Sequence, residues 1–258
     1  VRGLPISSLT RATPLTKEIL ETSIKWKYLE FMPSVAQLVA TSDLRDRIFS
    51  ERQLGAVVGG GEARRYGLVN RALKDGSLIR LKRGVYTLGR EYHSEAVHPF
   101  AVAQGLLPGS YVSFESALAH HGWIPEAVFV TASVSPGRKT QRFDTADFGQ
   151  FGFHPLALAE YRFLVGVERA SFNGLTAFVA QPLRALMDLV ALRKSRWSGL
   201  AWLVDGMRID EDLLLTTRRK DFAALKPVYK HQAVNEFLSA LESAVRDAGS
   251  VRKRSRHD

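Results

Sequence analysis

The chain has 258 residues, 45% of them hydrophobic and 24% charged, with no cysteine, a net charge of +10 and a pI near 10.0. This composition supports a buried core and excludes disulfides and thiolate metal sites. No run approaches the roughly 18 consecutive apolar residues of a membrane span, and the first thirty residues lack a compact apolar signal region, so a cytoplasmic protein is expected. The positive balance points to an anionic partner, nucleic acid first and an acidic protein second.

Val1 to Phe31 holds two prolines, many Ser/Thr residues and modest helical character from Lys17 to Leu29. Two readings stay open: translation begins at Met32 and residues 1–31 are an extension, or they form an arm that folds onto the body or grips DNA. Residues 32–92 are patterned as one domain. Ser34 to Ile48 reads as its first helix, with Val35, Leu38, Val39, Leu44 and Ile48 on the apolar side and Asp43, Arg45, Asp46 and Arg47 solvated. Ser50 is the expected N-cap of a second helix, with Gln53 completing a capping box and Leu54, Val57 and Val58 facing inward. Gly59-Gly60-Gly61 breaks that helix. It lacks the lysine and preceding strand of a phosphate loop.

A third helix is expected from Glu62 to Asp75, stopped by Gly76. Tyr66, Val69, Ala72 and Leu73 gather on the side expected to pack, and Arg64, Gly67, Arg71 and Lys74 on the opposite side. Gly67 weakens the helix by about 1 kcal/mol relative to alanine. Two β-patterned runs, Leu78–Leu81 and Val85–Leu88, then flank the turn Lys82-Arg83-Gly84, where glycine supplies the positive φ of a short hairpin. From Gly61 to Arg90 the chain carries eight Lys/Arg against Glu62 and Asp75, a net +6 of the total +10.

A basic helix followed by a basic-tipped hairpin is the layout of a winged helix-turn-helix that binds double-stranded DNA. Arg64, Arg71 and Lys74 are expected in the major groove, with Arg64, near the helix N-terminus, as the candidate guanine contact. Gly67 would let the helix sit close to the groove floor. Arg65 and Asn70 lie off this line, to bind phosphate or pack at the edge. Lys82 and Arg83 would grip phosphate or the minor groove from the wing.

Arg90 to His98 is a polar connector, and residues 97–249 read as a mixed α+β domain. Its expected elements are helices at Phe100–Leu107 and Ser113–His121, a strand at Val128–Val134, and a loop carrying Arg138, Lys139 and Arg142. Strands at Phe148–His154, Phe163–Glu168 and Leu175–Ala180 follow, then helices at Pro182–Leu192, Leu200–Val204 and Val234–Ala248. The loop fits DNA, a protein partner or plain solvation. Ser113 is the expected N-cap of its helix, with Ser116 in the first turn. Asp188 is expected at the surface or in a cap. Residues 250–258 form a basic tail, expected to be solvated and to add nonspecific DNA affinity.

The seven histidines, His93, His98, His120, His121, His154, His231 and His257, show no metal-ligand spacing; His120 and His121, being adjacent, are expected on different faces. No metal or cofactor is expected. The acidic cluster around a strand lysine that a nuclease needs is also missing, so the chain reads as a non-enzyme.

Three stretches in order resemble a known family. "Gly-Ser-Leu-Ile-Arg-Leu-Lys-Arg-Gly-Val-Tyr" (76–86) is similar to the wing of AbiEi-type antitoxins. Val112 to Gly122 resembles that family's Ser-x-x-Ser-Ala-Leu…His-Gly helix, and Ala180 to Leu189 its Pro-x-x-Ala-Leu-x-Asp segment. The resemblance covers Met32 to Leu192; residues 1–31 and the glycine triplet depart from it. It implies the antitoxin of a type IV toxin–antitoxin pair, in which the winged domain represses its own promoter and the second domain opposes an AbiEii-like nucleotidyltransferase toxin. The rival reading is a stand-alone repressor whose second domain dimerises or senses a ligand. The oligomeric state is not fixed by the sequence.

Overall fold

The computed structural model describes residues 33–254, which form an α+β fold with two sheets. Residues 1–31, with the question of a start at Met32, lie outside the described residues. Helix α1 (Val35–Ala40) carries a complete Ser34/Gln37 capping box, and Val35, Ala36 and Val39 are buried. The expected helix to Ile48 therefore ends eight residues early. The Thr41 hydroxyl donates to Gln37 O (3.0 Å), the Ser42 hydroxyl donates to Val39 O (2.8 Å), and Ser42 Oγ accepts from Leu44 N (3.2 Å). Hydroxyls that take over backbone partners this way end helices.

Strand β1 (Phe49–Ser50) leads into α2 (Glu51–Val58), whose Ser50/Gln53 capping box forms as expected. Gly59 (φ +63°) and Gly60 (φ +74°) then turn the chain into α3 (Glu62–Lys74). Strands β2 (Leu78–Lys82) and β3 (Val85–Leu88) make the hairpin, and β1 pairs with β3 to give a three-stranded sheet ordered β1-β3-β2.

The hairpin is covered on both faces. Leu78, Tyr86 and Leu88 pack with Val35, Val39 and Leu54 in the smaller core. Leu81, with Ile79 and Val85 beside it, belongs instead to the core of residues 99–245. The sequence Leu-Ile-Arg-Leu carries apolar residues on both sides of the strand for this reason. At the same junction α4 (Pro99–Leu106) runs so close that a Cβ on Gly105 would lie 2.5 Å from Ile48 Cγ2. The two modules are joined by shared apolar packing.

The second module is built on a six-stranded mixed sheet: β4 (Tyr111–Val112), β5 (Val130–Ser135), β6 (Gln141–Thr145), β7 (Gly149–Pro155), β8 (Val167–Phe172) and β9 (Leu175–Ala180), ordered β6-β7-β5-β4-β9-β8. Pairs β5–β7 and β4–β9 are parallel and the rest antiparallel. β6 takes in Arg142, a residue expected in a loop. Charged Arg142 and Asp144 are exposed on this edge strand, which hides its pattern and blunts the edge. β4 is too short for periodicity to reveal, though both its residues are buried.

Helix α5 (Phe114–His120) is clamped to β5 by Ser116, whose hydroxyl donates to Val130 O (2.9 Å) and accepts from Ala132 N (2.8 Å). Helix α6 (Pro182–Arg193) is nearly surrounded by protein. The helix expected at Leu200–Val204 is a single π-helical turn, Trp202–Gly206. Helices α7 (Glu211–Leu215), α8 (Arg219–Leu225) and α9 (Gln232–Arg254) complete the module, so the first half of the basic tail is helical. Among the described residues no helix is long and apolar enough to cross a membrane.

Asp188 overturns the expectation of a surface or capping role. Its carboxylate is fully buried and accepts four hydrogen bonds: Arg184 Nε (2.9 Å) and Tyr229 OH (2.8 Å) on Oδ1, Ser113 Oγ (2.7 Å) and Tyr111 OH (2.9 Å) on Oδ2. Arg184 also donates to Tyr111 OH and Val165 O. Burial alone would lower the pKa of Arg184, but the Asp188 carboxylate together with Tyr229 and Tyr111 outweighs it and the net shift is upward. Burial, then the Asp188 charge, pushes Tyr111 and Tyr229 well up. Ser113 occupies the N-cap position of α5 but spends its hydroxyl on Asp188, so it makes no side-chain cap.

Candidate nucleic-acid interface

The sequence-predicted site residues fall on α3 and the hairpin tip. Along α3, Ala63, Gly67, Asn70 and Lys74 line up at i, i+4, i+7 and i+11, a straight outward stripe. Ala63, Gly67 and Lys74 are exposed and Asn70 is half-buried. Arg64 and Arg71 flank the stripe on one side, and both are exposed. The structure thus brings Arg64, Gly67, Asn70, Arg71 and Lys74 onto one surface. A Cβ added at Gly67 would meet nothing within 4 Å, so no internal packing demands glycine there.

Arg65 is half-buried, and its Nη1 donates to Gly60 O at 2.8 Å, which ties α3 to the glycine turn. On α3 it lies roughly opposite the outward stripe, on the side of α2 near Gly55. Arg83 stands exposed at the hairpin tip, and the hairpin is anchored beneath it by Glu51 N donating to Gly84 O (2.9 Å). Lys82 leaves the group. Its ammonium donates to Leu106 O at the end of α4 (2.5 Å) and lies 5.8 Å from the Phe143 ring centroid on β6. A half-buried ammonium already held by a carbonyl and an aromatic face belongs to the junction between the modules.

Tyr66 is the largest departure from the expected packing side: 72% of it is exposed. The buried arc of α3 is centred on Ala72, with Leu68, Val69 and Leu73 packed around it. Leu68 was the available signal. Taking it in place of Tyr66 rotates the packing side by roughly 40°, away from Tyr66. Tyr66 therefore borders a groove of about 1220 Å³ between α2, α3 and the hairpin, floored by Leu54, Val69 and Tyr86. Arg80, on β2 opposite Tyr86, and Arg83 line its far wall. The pKa of Tyr86 is raised by burial, then by the Glu51 charge, with Arg80 opposing. Glu51 and Glu62 are the acidic residues of this groove, against Arg52, Arg65, Arg80 and Arg83.

A second hollow, about 1080 Å³, lies at the junction of the modules, where Arg45, Arg47 and Arg169 are balanced by Asp43, Asp46 and Glu95. Its groups are engaged locally: Arg45 Nε donates to Tyr92 O (3.1 Å), and Asp46 accepts from Ser94 N (2.8 Å) and Ser94 Oγ (2.9 Å). Mixed charge and internal pairing make it a poorer anion site than the α3 surface. His98 and His120 pack among the rings of Phe100 and Phe172. His98 stacks on Phe172 at 4.3 Å, and His120 lies edge-on to His121 at 5.1 Å, so adjacency does not send these two apart. Among the described residues no group of three His, Asp or Glu side chains is placed to hold a metal.

Compared with known proteins, the chain matches no family model, and no curated protein matches it.

Proposed function

We propose that residues 33–92 are a winged helix-turn-helix that binds double-stranded DNA, with α3 in the major groove and the hairpin tip on the backbone. One observation carries this reading. A helix whose outward stripe begins with two residues of minimal side chain, Ala63 and Gly67, is bordered by Arg64 and Arg71 on one side and by Arg80 and Arg83 across the groove. Small residues permit close approach and the cations meet phosphate on either side. The wing contacts come from Arg83 and Arg80, since Lys82 is engaged with α4.

The resemblance to AbiEi-type antitoxins extends the proposal. The chain represses its own promoter, and its second module opposes a nucleotidyltransferase toxin encoded beside it. Binding of the full chain to its upstream DNA, over a range of salt, tests the first part. Log affinity should fall linearly with log salt, and an unrelated duplex should bind more weakly by about a thousandfold or more. Equal affinity for both duplexes would remove the regulatory role. Growth of cells expressing the neighbouring gene, with and without this chain, tests the second part. A toxic neighbour rescued by this chain supports the antitoxin. A harmless neighbour returns the protein to a stand-alone regulator.

A further inference from the structure

An aromatic ring left open on a cationic surface calls for a partner that phosphate does not supply. Tyr66 is 72% exposed, lies in the N-terminal half of α3, and has Asn70 one turn further along the same side of the helix. Both line the groove between α3 and the hairpin. Phosphates and sugars satisfy the arginines around them, but not the face of a ring. The floor of the B-DNA major groove displays one apolar group, the C5-methyl of thymine. The side-chain amide of asparagine matches adenine, with its oxygen accepting from N6 and its nitrogen donating to N7. Thymine and adenine are the two halves of one pair, and the two residues that read them stand one helical turn apart.

Resting on the proposal that α3 lies in the major groove, we infer that this surface reads an A·T-containing site, with the Tyr66 ring against a thymine methyl and the Asn70 amide on adenine N6 and N7. Tyr66 is thus a specificity residue. The cations of this helix favour guanine, Arg64 first among them; Tyr66 and Asn70 add a second, different base requirement on the side nearer the hairpin.

The test uses the full chain and a duplex from its own upstream region in two forms, one with thymine and one with deoxyuridine throughout, which pairs identically but lacks the methyl. Wild type should bind the deoxyuridine form about fourfold more weakly for each methyl contacted. Tyr66→Ala should bind the two forms equally. Tyr66→Phe should keep the thymine preference, because the ring does the reading. Arg83→Ala should weaken both forms and also keep it. For Asn70, 7-deazaadenine in the duplex should weaken wild type and leave Asn70→Ala unchanged. Equal wild-type affinity for the thymine and deoxyuridine duplexes overturns the inference while leaving DNA binding standing. So does a Tyr66→Ala variant that keeps the preference, or a Tyr66→Phe variant that loses affinity as Tyr66→Ala does, which would assign the hydroxyl to phosphate. A wild-type chain that binds neither duplex overturns the DNA-binding proposal itself.

Discussion

The ammonium of Lys82, at the hairpin turn, donates to the carbonyl oxygen of Leu106 at the end of α4. This bond joins the proposed wing to the second module and takes Lys82 out of the cations that face solvent. Lys82→Ala should therefore leave the salt dependence of DNA binding unchanged and lower stability by roughly 1 kcal/mol, through the lost bond and the lost Phe143 contact. Arg83→Ala should do the reverse and reduce the salt slope by about one unit. Titrations at several salt concentrations decide between them. A slope that drops for Lys82→Ala would return that residue to the DNA.

Arg64 is exposed beside the outward stripe of α3, near the helix N-terminus, the part of such a helix that reaches base edges. Arg64→Ala is expected to cost about 1–3 kcal/mol on the preferred site and to relax the base preference at one position. Selection of binding sites from a random pool, for wild type and variant, reads this directly. A uniform loss on all sequences would make Arg64 a phosphate contact.

Asp188 and Arg184 pair at 2.9 Å with neither side chain exposed. Asp188→Asn keeps the shape, but it removes the counter-charge of a buried guanidinium and points an amide at groups that were donating. It should destabilise the protein by about 3–5 kcal/mol, measured by urea unfolding. A loss below about 1 kcal/mol would mean that water reaches the guanidinium in the variant.

His98, His120 and His154 all have pKa values below the ordinary 6.5, each chiefly through burial. Neighbouring charge adds to this: His120 for His98, His121 for His120 (Glu168 opposing), and Arg142 for His154 (Glu115 opposing). In the unfolded chain these groups take up protons first as pH falls. Stability is therefore fully present above the ordinary value and is lost as pH falls through the lowered ones. The unfolding midpoint should drop between about pH 7 and pH 5. His98 carries an identifiable share, because its Nδ1 must stay unprotonated to accept from Phe100 N at the start of α4 (3.1 Å). His98→Asn keeps an acceptor there without titrating, so its pH slope should be shallower than that of wild type. Identical slopes would place the effect elsewhere.

Much of the fold was legible because its signals are local. The Ser50/Gln53 box, the glycine break and Gly76 mark out α2 and α3; the Lys82-Arg83-Gly84 turn marks the hairpin; Leu175–Ala180 and Pro182 fix β9 and the start of α6. Each is settled by residues within a few positions of one another, where capping, turn geometry and periodicity act. α1 ends before its apolar pattern does, because three hydroxyl-mediated bonds outweigh that pattern.

The sequence by itself determined most of the helical and extended segments, though not β4, β6, the end of α1 or the start of β8, and that the cations concentrate between Gly61 and Arg90. The tertiary structure decided where individual side chains go. Lys82 turns to a carbonyl 24 positions away, Asp188 is buried by Tyr111 and Ser113 from 77 and 75 positions away, and Tyr66 is exposed because Leu68 and Ala72 take the packing side. A charge or an aromatic ring is stabilised by whatever surrounds it in space. Its surroundings here are set by strand order and by the packing of one module on the other, which no local pattern encodes.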